Sequence, residues 1–195
     1  MTKPTLNKTD LALLANHVNT AHSIVLIAHH NPDGDAIGSL LGLYKILKSV
    51  VSNNCDIKMI TPNEGNKNQL YFLDGIDQII NFQQNPDTCI EVFTNTNLII
   101  GLDFNEPNRI DTLEPYFMQS NAYKILIDHH HNPKTECFDT TISKPEMSST
   151  CELVFWIVDS IWKADVITKD AAIPLYCGIC TDTGTFSYSN IHPSL

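Results

Sequence analysis

The stretch SIVLIAHHNPDGDAIGSLLGLYKIL, residues 23–47, joins two apolar segments through a polar junction. Its apolar beginning, residues 23–28, is typical of a buried strand, whereas the segment from Asp35 to Val51 is typical of a largely buried helix. The junction, residues 29–35, holds two histidines and two aspartates. Such side chains are costly to bury unless they are hydrogen-bonded, paired or bound to a metal ion. The stretch therefore predicts a strand, a functional loop and a helix.

The rest of the chain repeats this alternation. Buried strands are predicted at residues 23–28, 56–61, 97–104 and 123–130, with a shorter run at 77–82. Helices are predicted at residues 9–21, 35–51, 70–73 and 168–180, within 108–120, and from Ser149 onward. Residues 132–147 have a composition typical of a loop. The pattern predicts an α/β fold, with a mostly parallel sheet and helices on both faces.

Two helix starts have recognisable capping signals. Thr9 or Asp10 is available to cap the first helix. Ser149 and Glu152 have the S-x-x-E spacing of a capping box, which predicts the start of a later helix.

Composition narrows the class of protein. A length of 195 residues suits a single domain, and a formal net charge of −10 argues against binding duplex DNA through many phosphate contacts. Six dispersed cysteines and an N-terminus without the apolar stretch of a signal peptide predict a cytoplasmic location. We interpret the cysteines of CGIC, residues 177–180, as buried small apolar residues rather than a redox or zinc site. No apolar run is long enough to predict a membrane span. The sequence leaves the oligomeric state open, with a homodimer as one alternative.

Four polar clusters follow predicted strands or helices. They are HHNPDGD at 29–35, LDFNEPNR at 102–109, IDHHH at 127–131 and CTDTGTF at 180–186. The carboxyl ends of parallel strands share one sheet edge, where ligands bind, so we expect the first three clusters to meet there. Each alone also fits an ordinary turn, cap or solvated loop. Their coincidence favours a functional site.

The side chains in these clusters are typical metal ligands. Imidazoles and carboxylates without a thiolate suit Mn²⁺, Mg²⁺ or Zn²⁺. Two divalent ions would relieve the repulsion among the aspartates, and such a pair suits hydrolysis of a phosphate ester or anhydride. We expect Gly34 to permit a tight turn that directs Asp33 and Asp35 to different ions, and a helix starting near Ala36 to favour an anionic substrate. Arg109 fits either a phosphate contact or a pair with Asp111.

The four clusters, in this order, resemble the motifs of the DHH phosphoesterase superfamily, whose name describes Asp128, His129 and His130. The resemblance extends from about Ser23 to the end of the chain. It is closest to the RecJ-like branch that contains nanoRNases and pAp phosphatases, together with dinucleotide phosphodiesterases. It implies a DHH-type Rossmann-like domain with two divalent ions, Mn²⁺ by preference.

The resemblance also implies a role for each site residue. His29, Asp33 and Asp103 would hold one ion, and the other would be held by Asp35, Asp103, His129 and Asp182. His130 would bind the scissile phosphate or protonate the leaving group, and Asp128 would fix the tautomer and orientation of a histidine. Arg109 is a further candidate for binding substrate. His30 and His131 lie outside the implied ligand set.

The implied function is Mn²⁺-dependent hydrolysis of short oligoribonucleotides or pAp. The alternatives are a cyclic or linear dinucleotide phosphodiesterase, a pyrophosphatase or exopolyphosphatase, and a nucleotide-binding module without turnover. Members of this branch carry a second, substrate-binding domain after the fourth motif. We expect residues 1–195 to be a single catalytic domain without it, with weak turnover of the natural substrate in isolation.

Overall fold

The computed structural model describes residues 3–65, 69–188 and 191. Its α-helices are α1 Lys8–Thr20, α2 Gly34–Val50, α3 Pro86–Asn95, α4 Glu114–Gln119, α5 Thr150–Ile161 and α6 Lys169–Asp182. Its strands are β1 Ser23–Ala28, β2 Asp56–Thr61, β3 Ile79–Asn81, β4 Leu98–Leu102, β5 Tyr123–Asp128 and β6 Thr140–Ser143. All strand pairs in the sheet are parallel, in the order β3-β2-β1-β4-β5-β6. This confirms the predicted α/β class.

The strands are buried on both faces, as the continuous apolar runs predict. In β1, Ile24 and Leu26 face the larger core, which includes residues of α2 and α5, whereas Val25 and Ile27 face the smaller core, which includes residues of α3 and α4. Helices therefore cover both sides of the sheet. The neighbouring strands β1 and β4 are followed by helices on opposite sides of the sheet, α2 on the side of the larger core and α4 on the side of the smaller core. Sheets of this strand order bind ligands at such a position.

Three predictions of local structure are wrong. Residues 70–73 form turns rather than a helix. Asn7, not Thr9 or Asp10, caps α1, because its side chain accepts a hydrogen bond from the Thr9 amide at 2.8 Å. Residues 132–147 are not all loop, since they contain β6.

Two further strands are shorter than predicted, because β4 and β5 end where their polar clusters begin. The helix start that the S-x-x-E spacing predicts is confirmed: the Ser149 hydroxyl accepts a hydrogen bond from the Glu152 amide at the start of α5, and the Glu152 carboxylate accepts one from the Ser148 amide.

The cysteine interpretation is only partly right. Cys177 and Cys180 are free thiols on α6 and are half-buried rather than fully buried. Among the residues that the structure describes, no helix is both long enough and apolar enough to cross a membrane.

Candidate metal centre

The strand register brings the first three clusters to one edge of the sheet. Ala28 at the end of β1 pairs with Leu102 of β4, and Leu102 pairs with Ile127 of β5. The residues that follow these three positions, His29, Asp103 and Asp128, therefore emerge side by side. All three are buried, between 0% and 6% exposed. The centre is thus built on adjacent strand ends, where the backbone is fixed by the sheet.

One ligand group combines His29, Asp33 and Asp103, whose donor atoms lie within 4.8 Å of one another. The His29 Nε2 atom is 3.5 Å from Asp103 Oδ2 and 3.9 Å from Asp33 Oδ1. Asp33 also caps α2, since its Oδ1 accepts hydrogen bonds from the amides of Asp35 and Ala36. The cap places Asp33 at the mouth of the centre and Asp35 in its interior.

A second group combines Asp35, His129 and Asp182. The His129 Nε2 atom is 3.2 Å from Asp182 Oδ2 and 3.9 Å from Asp35 Oδ2. It also lies 3.7 Å from Oδ1 of Asp103, whose other oxygen faces His29. The Asp103 carboxylate therefore stands between the two groups, with one oxygen directed to each.

Close packing of α2 against α6 places Asp182 in the centre. A Cβ atom at Gly34 would lie 2.3 Å from the Thr181 hydroxyl oxygen, and one at Gly38 would lie 2.5 Å from the Pro174 carbonyl oxygen. On α6, a Cβ atom at Gly178 would lie 3.0 Å from Asp35 Oδ1. Glycine is required at Gly34 for this approach and not, as predicted, for a tight turn, because the residue is the first of α2.

The imidazoles are oriented by backbone carbonyls. The Nδ1 atom of His29 lies 2.8 Å from the His30 carbonyl oxygen, and that of His129 lies 3.2 Å from the Met147 carbonyl oxygen. A carbonyl oxygen only accepts hydrogen bonds, so each Nδ1 is the donor and each Nε2 is directed to the carboxylates. This is the tautomer that metal-binding histidines use.

His130 has a different partner. Its Nδ1 atom lies 2.7 Å from Asp128 Oδ1, and its amide donates to Asp128 Oδ2 at 3.0 Å. The hydrogen bond to Asp128 raises the pKa of His130 above its usual value, against the effect of burial. The histidine that Asp128 orients is therefore His130. The His130 side chain stands next to Asp103, whose Oδ1 is 3.8 Å from His130 Nδ1.

The backbone conformation of Asp103 and its contact with Thr150 were not predicted from the sequence. Asp103 has a φ of 64°, in the left-handed region that aspartate tolerates better than most residues and that is concentrated at functional sites. Its Oδ1 accepts a hydrogen bond from the buried Thr150 hydroxyl at 2.9 Å. The capping box located the start of α5 in the sequence, but no local signal showed that this helix end meets the centre.

Burial and mutual repulsion make this set of charges unfavourable without a cation. Burial, together with the charges of Asp103 and Asp182, raises the pKa of Asp35 well above its ordinary value. Burial also raises the pKa of Asp182 to about 6, with His129 opposing and Asp103 adding to the shift. Burial would raise the pKa of Asp103 too, but its hydrogen bond with His29 and the nearby histidines lower it to about 2. Of these three carboxyl groups, Asp103 therefore loses its proton at the lowest pH.

The donor set fits divalent metal ions. Neutral Nε2 atoms and carboxylate oxygens are both acceptors, yet they face one another at 3.2–3.9 Å. Only a proton or a metal cation between them makes such contacts favourable, and nitrogen and oxygen ligands without thiolates suit Mn²⁺, Mg²⁺ or Zn²⁺. The groups could therefore hold metal ions.

The other two histidines of the polar clusters, His30 and His131, lie at the rim with Arg109. His30 lies with its Nδ1 3.9 Å from Asp111 Oδ2, and its amide donates to the Arg109 carbonyl oxygen. In the described part of the chain, no ion pair joins Arg109 to Asp111. The charge of Arg109 instead lowers the pKa of His130, an effect smaller than that of Asp128, and it also lowers the pKa of Glu106. His131 is exposed.

Comparison with known proteins identifies the family of this chain. The profile described as "DHH family, N-terminal domain" matches residues 23–179. The chain belongs to the DHH family. The match covers the first three polar clusters and most of α6, although Asp182 lies just beyond its end. The predicted resemblance is confirmed.

Several known proteins are similar over most of this chain. The bifunctional oligoribonuclease and PAP phosphatase NrnA of Mycoplasma genitalium is 30% identical over 189 residues, which are 95% of this chain and 54% of that protein. The NrnA of Thermus thermophilus is 26% identical, with 95% and 51% covered. The cyclic-di-AMP phosphodiesterase GdpP of Bacillus subtilis is 25% identical over 87% of this chain and 26% of its own length.

A solved structure shows the same fold. An exopolyphosphatase-related protein from Bacteroides fragilis superposes with a TM-score of 0.92 at 33% identity, over 100% of this chain and 55% of that one. The chain thus spans about half the length of the NrnA proteins and of this structure. The named activities of the NrnA and GdpP relatives are all hydrolyses of phosphate esters, so the predicted enzyme class, a hydrolytic phosphoesterase, is confirmed for the family.

Proposed function

We propose that this chain is the catalytic domain of a two-metal phosphoesterase that hydrolyses short oligoribonucleotides and pAp. The observation that carries the proposal is the placement of the Asp103 carboxylate, with Oδ2 3.5 Å from His29 and Oδ1 3.7 Å from His129. A carboxylate shared in this way suits a pair of ions about 3.5 to 4 Å apart, which is the spacing of two-metal hydrolases.

Six residues are proposed as metal ligands. His29, Asp33 and Asp103 hold one ion, and Asp35, Asp103, His129 and Asp182 hold the other. When bound, the two ions lower the pKa of a water molecule and neutralise the phosphoryl oxygens. Mn²⁺ is proposed as the physiological ion from the resemblance to the DHH phosphoesterase superfamily, since the imidazole and carboxylate ligands alone suit Mn²⁺, Mg²⁺ or Zn²⁺.

The other residues of the centre act on the substrate. His130 is held through Nδ1 by Asp128, which leaves Nε2 free to bind the scissile phosphate or to protonate the leaving oxygen. In the protein without metal ions, the hydrogen bond to Asp128 raises the pKa of His130. Arg109, near His130, adds a permanent positive charge for a second phosphate oxygen. These assignments make His130 and Asp128 the catalytic pair and Arg109 a substrate-binding residue.

The substrate class is proposed from the relatives. The NrnA proteins of Mycoplasma genitalium and Thermus thermophilus match 95% of this chain and are named for oligoribonucleotides and PAP. A short single-stranded substrate or small nucleotide also agrees with the net charge of −10, which opposes duplex DNA. Cytoplasmic localisation belongs to the same proposal.

Product analysis tests the function. The protein is incubated with Mn²⁺ and a dinucleotide, pAp, cyclic di-AMP or pyrophosphate, beside the variants Asp103→Asn and, as a control at the rim, Asp111→Asn. We expect mononucleotide from the dinucleotide and phosphate from pAp, loss of both activities in Asp103→Asn, and retention of both in Asp111→Asn. Cleavage of pyrophosphate alone would overturn the substrate assignment. Full activity in a folded Asp103→Asn variant would overturn the site.

A further inference from the structure

The start of α5 contacts two of the proposed ligands at once. The Thr150 amide donates to Asp35 Oδ2 at 2.6 Å, and the Cys151 amide donates to Asp35 Oδ1 at 2.9 Å. The Thr150 hydroxyl donates to Asp103 Oδ1 at 2.9 Å. Thr150, Cys151 and Asp35 are 0% exposed, and Asp103 is 2% exposed. One residue therefore joins the carboxylate between the two ligand groups to a carboxylate of the second group.

These contacts restrict how each carboxylate can turn. Asp35 is held through both oxygens by amides of the first helical turn, which carry the positive end of the helix dipole. Asp103 is held through Oδ1 by the Thr150 hydroxyl, and the backbone of Thr150 is fixed because it begins a helix capped by Ser149. With Oδ1 held, Oδ2 stays directed to His29.

Holding ligands in advance lowers the cost of binding a metal ion. An unrestrained carboxylate loses rotational freedom when it becomes a ligand, whereas a carboxylate already fixed by hydrogen bonds loses less. Both carboxylates also keep oxygen lone pairs that these donors do not use, since each carboxylate has about four acceptor positions. The start of α5 thus orients the Asp35 and Asp103 carboxylates and leaves some of their oxygen lone pairs available to bind a metal ion.

We propose that Thr150 is a positioning residue that sets the Asp103 carboxylate between the two metal positions. The inference rests on the proposed metal centre and goes beyond it, because Thr150 is neither a ligand nor a substrate contact. Removal of the hydroxyl leaves Asp103 free to turn and leaves its buried Oδ1 without that donor. Loss of a partner of this kind lowers metal affinity by about 10- to 100-fold.

Titration of the metal-free protein with Mn²⁺ tests this role without any substrate. Free Mn²⁺ is followed by electron paramagnetic resonance for the parent, Thr150→Val and Thr150→Ser. Valine has the shape of threonine and lacks the hydroxyl, whereas serine restores it. We expect binding about 10- to 100-fold weaker in Thr150→Val and recovery to near the parent affinity in Thr150→Ser. Thr150→Ala removes the same hydroxyl without placing a methyl group against Asp103, and it replaces the valine variant if that variant does not fold.

Thr140→Val is the matched control. Thr140 is also buried, and it lies at the opposite end of β6 from the centre. The substitution removes a hydroxyl that is hydrogen-bonded to the Tyr123 hydroxyl. We expect Thr140→Val to lower the free energy of unfolding and to leave Mn²⁺ affinity unchanged. Equal weakening by Thr140→Val and Thr150→Val would overturn the positioning role.

Two further outcomes separate the positioning role from the metal centre itself. If the parent binds Mn²⁺ and Thr150→Val binds it within about twofold of the parent, the positioning role is wrong and the centre stands, because loss of the hydroxyl should cost about 10-fold or more. If the parent binds no Mn²⁺, the centre itself is wrong.

Discussion

Replacement of Asp182 by asparagine should stabilise the metal-free protein at neutral pH. In the fold, burial raises the pKa of this carboxyl from 3.8 to about 6. A pKa difference of one corresponds to about 1.4 kcal/mol, so ionised Asp182 costs the fold up to about 3 kcal/mol. The side chain is 28% exposed, and solvent screening makes this figure an upper bound.

The sign of the pH dependence follows from the raised pKa. The folded protein binds the Asp182 proton more tightly than the unfolded chain, so the contribution to stability is fully present below pH 3.8 and is lost as the pH rises through about 6. The neutral asparagine side chain of the variant carries no such penalty. In EDTA, Asp182→Asn should therefore exceed the parent in free energy of unfolding by up to about 3 kcal/mol at about pH 7.5, with the advantage vanishing toward about pH 4.

Urea unfolding between about pH 4 and pH 7.5, with EDTA or with saturating Mn²⁺, measures both effects. Metal ions at about 100 times the dissociation constant add about 2.7 kcal/mol to the folded state, so Mn²⁺ should cancel or reverse the advantage of Asp182→Asn. Asp165 is exposed and precedes the start of α6, so Asp165→Asn serves as the control. It should change neither the pH dependence of stability in EDTA nor the stabilisation by Mn²⁺. If the difference in stability between Asp182→Asn and the parent in EDTA does not change with pH, the pKa of Asp182 is not raised in the fold and the prediction is wrong.

Three further variants probe the helix packing, the catalytic pair and the first helix cap. Gly38→Ala should lower the free energy of unfolding by about 1 to 3 kcal/mol and also weaken Mn²⁺ binding, because a Cβ atom 2.5 Å from the Pro174 carbonyl oxygen forces α2 and α6 apart. Urea unfolding and Mn²⁺ titration measure the two effects, and unchanged values would contradict the close packing of these helices. Asp128→Asn should lower kcat about 10- to 100-fold and leave the number of bound Mn²⁺ ions unchanged, since Asp128 orients His130 and is not a proposed metal ligand. Steady-state kinetics with pAp measures the change in kcat, and loss of bound Mn²⁺ would show that Asp128 is a ligand. Asn7→Ala should cost about 1 kcal/mol of stability through the lost α1 cap and leave hydrolysis intact, as thermal unfolding and the same assay would show.

Predictions from the sequence succeeded where the signal is local. The bounds of β1 and β2 match the apolar runs, because strands buried on both faces show their length directly in the sequence. The polar clusters at strand ends predicted a common site for a related reason, since parallel strands end at one edge. The structure brings all six residues predicted as ligands into the groups described here.

Predictions failed where tertiary contacts decide. The strand β6 is short and its residues are alternately buried and half-buried, so TTIS gives little apolar signal, and only pairing with β5 defines it. The helix α3 was missed although Pro86 stands in its first turn, a common start signal. The role of Thr150 depends on contacts with residues 47 and 115 positions away, which no local pattern reveals.

The most direct test of the central claim is the position of Mn²⁺ in the protein. Crystals soaked in Mn²⁺ and measured at the manganese absorption edge should show two anomalous peaks about 3.5 to 4 Å apart, one on each side of the Asp103 carboxylate. One peak should contact His29 and the other His129. A single peak, or two peaks of which neither contacts Asp103, would contradict the two-metal account.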